Sequence, residues 1–128
     1  MRYLGLDYGN VRVGIAVSDE NGKIAFPREV LRLEDVTPRL KKIIETERIG
    51  LIVIGLPRSM DGRKTPQTEE VENFTEQLKK EFFIPIEFED EMLTTKIAKQ
   101  HSSVEKVDAS AAAVMLQSYL DRRISNFQ

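Results

Sequence analysis

The chain has 128 residues, with 19 basic and 21 acidic side chains, one histidine and no cysteine. That length suits a single domain, able to bury roughly two-thirds of its unfolded surface without staples. Disulfides and thiolate metal sites are excluded and a histidine-based centre is disfavoured, while a net charge of -2 advertises no broad basic surface.

Residues 2–7, 11–19 and 23–31 carry the alternating apolar pattern of three strands. Gly9-Asn10 makes the first turn between them, and Asn21-Gly22 suits a type I′ hairpin at the second. A helix follows, with Thr37 as cap, Pro38 at its first position and Leu40, Ile43 and Ile44 on its inner face. The continuous apolar run Leu51–Ile54 predicts a strand covered on both faces.

A loop of Pro, Gly and charged residues spans 56–65, and a second helix starts at Thr65-Pro66, burying Val71, Phe74 and Leu78. Residues 85–89 alternate as a fifth strand. A short helix is expected over 94–101 and a last one over 107–122. The order predicts an α/β fold with a mixed five-stranded sheet, antiparallel across the first three strands and parallel after them, with helices on both faces.

Any catalysis in such a chain rests on carboxylates, with a hard cation bound through oxygen. Asp7 ends the first strand and shares a face with Tyr3 and Gly5. An acid there is either a turn-former bonding to the amides that follow, or a ligand held on rigid backbone. Glu89-Asp90-Glu91 crowds three acids at the end of the fifth strand, which repel one another unless water or a cation relieves them. The plain alternative is a solvated acidic loop before a helix capped by Thr94 or Thr95.

Asp108 shares a helix face with Ala111, Ala112, Met115 and Tyr119, so it heads the stripe turned to the sheet. A first-turn acid stabilised by the helix dipole would explain its place near the start, but not its face. Arg58, Arg63 and Lys64 put positive charge in the loop after the central strand, where open sheets bind ligands. Lys41-Lys42, Lys79-Lys80 and Arg122-Arg123 read as ordinary solvated helix faces.

Four segments together resemble the YqgF (RuvX) family, Holliday-junction-resolvase-like nucleases of the ribonuclease H-like superfamily. They are Leu6-Asp7-Tyr8-Gly9 with Arg12–Ala16, Gly55-Leu56-Pro57 with Met60-Asp61-Gly62, Asp90-Glu91-x-Leu93-Thr94-Thr95, and Lys106-Val107-Asp108 with Ala111-Ala112. The resemblance spans nearly the whole chain, read as one ribonuclease H-like domain over 1–128. It implies a metal centre of Asp7, Glu91 and Asp108 holding two Mg²⁺ or Mn²⁺ ions, with Asp90 the alternative to Glu91. Arg12, Arg58, Arg63, Lys64, Thr94 and Thr95 would then hold phosphates. Met92 stands where the family usually carries Arg, and Asn10-Val11 where it commonly carries Thr-Lys; both changes weaken the expected grip on substrate.

The family is also similar to a bacterial factor implicated in maturing the 5′ end of pre-16S ribosomal RNA. The expected activity is therefore metal-dependent phosphodiester hydrolysis of pre-rRNA, with the ribosome or its precursors as partner and the protein a monomer or weak dimer. Alternatives are a junction resolvase acting on branched DNA and a non-catalytic RNA-binding assembly module. Asp7-x-Gly9 with Gly14 also resembles the phosphate loop of actin-like ATPases, which need two such domains. No leader peptide or membrane-length apolar run is apparent, so a cytoplasmic setting is expected.

Overall fold

Alternation builds the first three strands, β1 (Arg2–Tyr8), β2 (Arg12–Ser18) and β3 (Ala25–Arg32), which pair antiparallel in succession. The structure, a computed structural model, describes residues 1–92 and 104–126, with backbone alone at 92, 104–109 and 126. The β1–β2 turn closes with the Gly9 amide donating to the Arg12 carbonyl at 2.8 Å. The second hairpin is not type I′. Only Gly22 has positive φ there, at 66°, whereas that turn needs it at both central residues. The Asp19 carboxylate accepts the amides of Lys23 and Ile24 at 2.8 and 2.9 Å, which stabilises a longer loop.

Two further strands, β4 (Ile49–Arg58) and β5 (Ile86–Met92), add in parallel to β1, giving the order β3-β2-β1-β4-β5. β4 runs well past the predicted run and includes Pro57. The β1–β4 register stops at Leu6 against Ile54, so the proline removes no ladder bond on that side. β5 also continues beyond its predicted end at Glu89, placing Asp90 and Glu91 within the strand as well.

The first helix, α1 (Val36–Glu47), corrects the expected cap. A 3₁₀ turn at Leu33–Asp35 leads into it, so Asp35 precedes the helix and Pro38 is its third residue. Pro38 is tolerated because the first turn's amides lack helical acceptors anyway. α2 (Pro66–Glu81) starts as predicted: Thr65 and Thr68 form a capping box, and Pro66 is the first helical residue. The Thr68 hydroxyl also donates to the Pro57 carbonyl, tying α2 to the end of β4. The last described helix, α3 (Val104–Asn126), is longer than predicted. The helix expected over 94–101 lies outside the described residues.

Helices cover both faces of the sheet. α1 and α2 bury Val36, Leu40, Ile43, Val71 and Leu78 against Leu4, Leu6, Ile15, Ile52 and Ile54. α3 lays Ala112, Met115, Leu116, Tyr119 and Leu120 on Tyr3, Ala16 and Val53. The second layer depends on small residues: a Cβ at Gly5 would lie 2.9 Å from that of Leu116. Among the described residues, no helix is long and apolar enough to cross a membrane.

Candidate metal centre

Asp7 is the penultimate residue of β1, paired with Gly14 and only 6% exposed. It is therefore part of the sheet, one residue before the end of its strand. Side chains alternate along a strand, so Asp7 projects on the face of Tyr3 and Gly5, the face that α3 covers. In the β1–β4 register Leu6 lies beside Ile54. One residue further along each strand come Asp7 and Gly55, just past the last paired residues of the two strands.

The second acid arrives from the other side of β4. Glu91 pairs with Pro57 and is 5% exposed. Its carboxylate leans back along the sheet until Oε2 is 2.6 Å from where a Gly55 Cβ would stand. Two buried carboxylates on β1 and β5 thus flank one bare position on β4. Asp90, the alternative ligand, points to the opposite face, where its Oδ1 accepts from Arg58 Nε at 3.0 Å.

The third predicted ligand, Asp108, belongs to α3, but its side chain is outside the described residues. The path of the helix is described. The Arg123 guanidinium stands 5.1 Å above the Tyr3 ring, and Leu116 lies over Gly5. Going back along α3 therefore goes forward along β1, and position 108 is about one turn ahead of Ala112. Among the described residues no three His, Cys, Asp or Glu side chains form a group able to hold a metal ion.

The predicted phosphate-holding residues are spread more widely. Arg12 is exposed at the start of β2, on the strand face of Gly14 and Ala16. Arg58 pairs with Asp90 and donates to the Gly62 carbonyl at 3.3 Å, on the face away from Asp7. Arg63 and Lys64 are on the surface, in ion pairs with Asp61 at 3.1 Å and Glu72 at 3.2 Å. Hydrogen bonds from the Ser59 hydroxyl and the Arg63 amide hold the Asp61 carboxyl below its usual range. Thr94 and Thr95 lie outside the described residues.

Sequence reasoning missed a polar ladder between β5 and α3. Tyr119 donates to Glu87, while Ser118 and Arg122 donate to Glu89, which is 4% exposed. Arg122 and Arg123 are thus not ordinary solvated residues: one pairs with a buried carboxylate and the other stacks on Tyr3. Burial and then Glu87 push the Tyr119 phenol far above its ordinary value, keeping it a neutral donor. The signal was present as two periods. Glu87, Glu89 and Glu91 fall two apart, and Ser118, Tyr119 and Arg122 fall on one helix face.

A divalent cation fits this place by the chemistry of its donors. Asp7 and Glu91 offer hard carboxylate oxygens of the kind Mg²⁺ and Mn²⁺ prefer, and a buried cation offsets the desolvation of two acids. The glycine between them leaves room for the second carboxylate to come alongside the first.

The sequence model of RuvX, described as Holliday junction resolvase, matches residues 1–122. A relative from Thermoanaerobacter pseudethanolicus, named "Putative pre-16S rRNA nuclease", is 38% identical over 135 residues, covering 94% of this chain and 96% of that protein. A relative of the same name from Geobacillus thermodenitrificans is 37% identical over 137 residues, covering 96% and 99%. Among solved structures, Thermus thermophilus RuvC in complex with a Holliday junction superposes with a TM-score of 0.59 at 15% identity, over 97% of this chain and 96% of that one. That likeness shows the fold, which is ribonuclease H-like. With a family match over residues 1–122 and a relative 38% identical over 96% of its own length, this chain belongs to the RuvX family.

Proposed function

We propose that the protein is a metal-dependent nuclease that hydrolyses phosphodiester bonds at the 5′ end of pre-16S ribosomal RNA. The convergence of buried Asp7 and Glu91 on Gly55, at the carboxyl ends of β1 and β4, carries this reading. The names of the relatives support the substrate, and the RuvX assignment supports the reaction class. On this reading residues 1–128 act as one nuclease domain in the cytoplasm, on ribosomal precursors, as a monomer or weak dimer.

Asp7 and Glu91, joined by Asp108 from α3, hold the Mg²⁺ or Mn²⁺. When bound, such ions supply water activation and neutralisation of charge on the leaving oxygen. The chain's own contribution is placement. β1 and β5 hold the carboxylates on hydrogen-bonded backbone, and α3 shuts bulk water from the sheet face beneath them. Arg12, exposed on β2, takes a phosphate without reading a base, as do Arg63 and Lys64 once drawn from their surface ion pairs. Arg58 lies with Asp90 on the far face, where strand alternation puts both, and Thr94 and Thr95 add a further phosphate contact.

Cleavage of a pre-rRNA leader by the purified protein with Mg²⁺ or Mn²⁺ tests the reading. Loss of cleavage in Asp7→Asn is the expected result. Equal activity in both proteins, or none with any divalent ion, would overturn it. The description of the family model and the RuvC fold favour a second reading, resolution of four-way DNA junctions. Parallel cleavage assays on a junction and on the leader separate the two.

A further inference from the structure

The two glycines that face α3 and the acidic centre are bare for different reasons. At Gly5 an added Cβ would meet the Cβ of Leu116 at 2.9 Å and the Ala112 carbonyl at 3.4 Å, so the space belongs to a helix. At Gly55 the three nearest atoms among the described residues all belong to one side chain: Oε2 of Glu91 at 2.6 Å, Cδ at 2.8 Å and Cγ at 3.3 Å. We propose that Gly55 is a positioning residue, whose missing side chain is the notch that holds the Glu91 carboxylate beside Asp7. The inference rests on the metal reading above and adds to it the group that sets where the second ligand lies.

The register shows what the notch does. Glu91 belongs at the level of Pro57, and Gly55 pairs with Glu89. Without space over Gly55 the Glu91 head group could not turn back two residues toward the level of Asp7. An alanine there would push the end of a flexible side chain, not a helix or a strand. The fold therefore survives while the carboxylate moves. Divalent ions such as Mg²⁺ demand oxygen distances of about 2.0–2.1 Å, so a shift of that kind costs affinity.

Mn²⁺ titration by calorimetry, with metal-free thermal melting, tests this on the full chain and three variants: Gly55→Ala, Glu91→Asp and the double substitution. Gly55→Ala should melt within about 3 °C of the parent. It should bind Mn²⁺ about 10–100-fold more weakly, the range seen when a group that orients a ligand is changed. Glu91→Asp withdraws the carboxylate by one methylene, so in that background the added methyl should change affinity by less than about twofold. Should Gly55→Ala fail to fold, the double variant should fold, because the clash with the Glu91 carboxylate has been removed.

Parental affinity in Gly55→Ala overturns the proposal and leaves the metal reading intact. So does a methyl that costs as much in the Glu91→Asp background as in the parent, or a double variant that stays unfolded. If the parent itself takes up no Mn²⁺, the metal reading falls and this proposal with it.

Discussion

Arg122 on α3 forms an ion pair with Glu89 on β5, a carboxylate only 4% exposed and two residues from the candidate ligand Glu91. Ser118 donates to the other oxygen at 2.9 Å, so Glu89 takes two donors from α3 beside the one that Glu87 takes from Tyr119. The Arg122 side chain is itself 56% exposed, so solvent screens part of the pair. Its value lies between that of a surface pair, about 0–1 kcal/mol, and a buried one, about 3–5 kcal/mol. We expect Arg122→Ala to cost about 1–2 kcal/mol in urea unfolding. A variant as stable as the parent would mean that Ser118 alone satisfies Glu89.

Gly5 makes the complementary prediction about close approach. An alanine there must displace Leu116, one of the fully buried side chains of α3. Overpacking of this kind costs about 1–3 kcal/mol. Gly5→Ala should therefore lower the melting temperature by several degrees, where Gly55→Ala leaves it nearly unchanged. Equal melting of the two glycine variants would show that the sheet face and the acidic notch yield alike.

How much of this was legible in the sequence depends on how local each signal was. Alternation in Arg12–Ser18 marked β2, and Thr65-Pro66 marked the start of α2, because strand period and helix capping are written within a few residues. Thr37 misled because the 3₁₀ turn at Leu33–Asp35 starts the helical path earlier, which no single residue announces. β5 was cut short for a different reason. Three successive acids, Glu89-Asp90-Glu91, read equally well as a solvated loop, because acids are rarely buried without partners. The partners that make burial of Glu89 tolerable, Ser118 and Arg122, lie about thirty residues away and are found only by folding. Asp7 was a candidate on its own residues and Glu91 through the family resemblance, but the lean of Glu91 over Gly55 is written in no local pattern and is found only by folding.

The metal reading predicts a stability response separate from catalysis. A ligand that binds only the folded state stabilises it by about 2.7 kcal/mol at a concentration 100 times its Kd. Saturating Mn²⁺ should therefore raise the melting temperature of the parent by several degrees. Asp7→Asn replaces one of the two buried carboxylates by a neutral amide, and its melting temperature should not respond. An equal rise in both proteins would show that Mn²⁺ stabilises this fold from somewhere other than Asp7.

Acid stability should be governed in part at the other end of the molecule, where Arg28 on β3 meets Glu47 at the end of α1. The pair is bidentate, with both nitrogen–oxygen distances 2.6 Å. Hydrogen bonds from Arg28, opposed by burial, hold the Glu47 carboxyl below its ordinary 4.5. Because the folded value is the lower one, the pair stabilises fully above the unfolded value and loses that contribution as pH falls through the folded one. Both groups are partly exposed, at 35% and 21%, so we discount the pair to about 0.5–1 kcal/mol. Glu47→Gln should lower stability by that amount at neutral pH. The loss should shrink as pH falls through the lowered folded value, until both proteins carry an uncharged side chain at this position. Urea unfolding of the two proteins across that range checks it: curves that stay parallel down to the acid limit would place the acid sensitivity of the fold elsewhere.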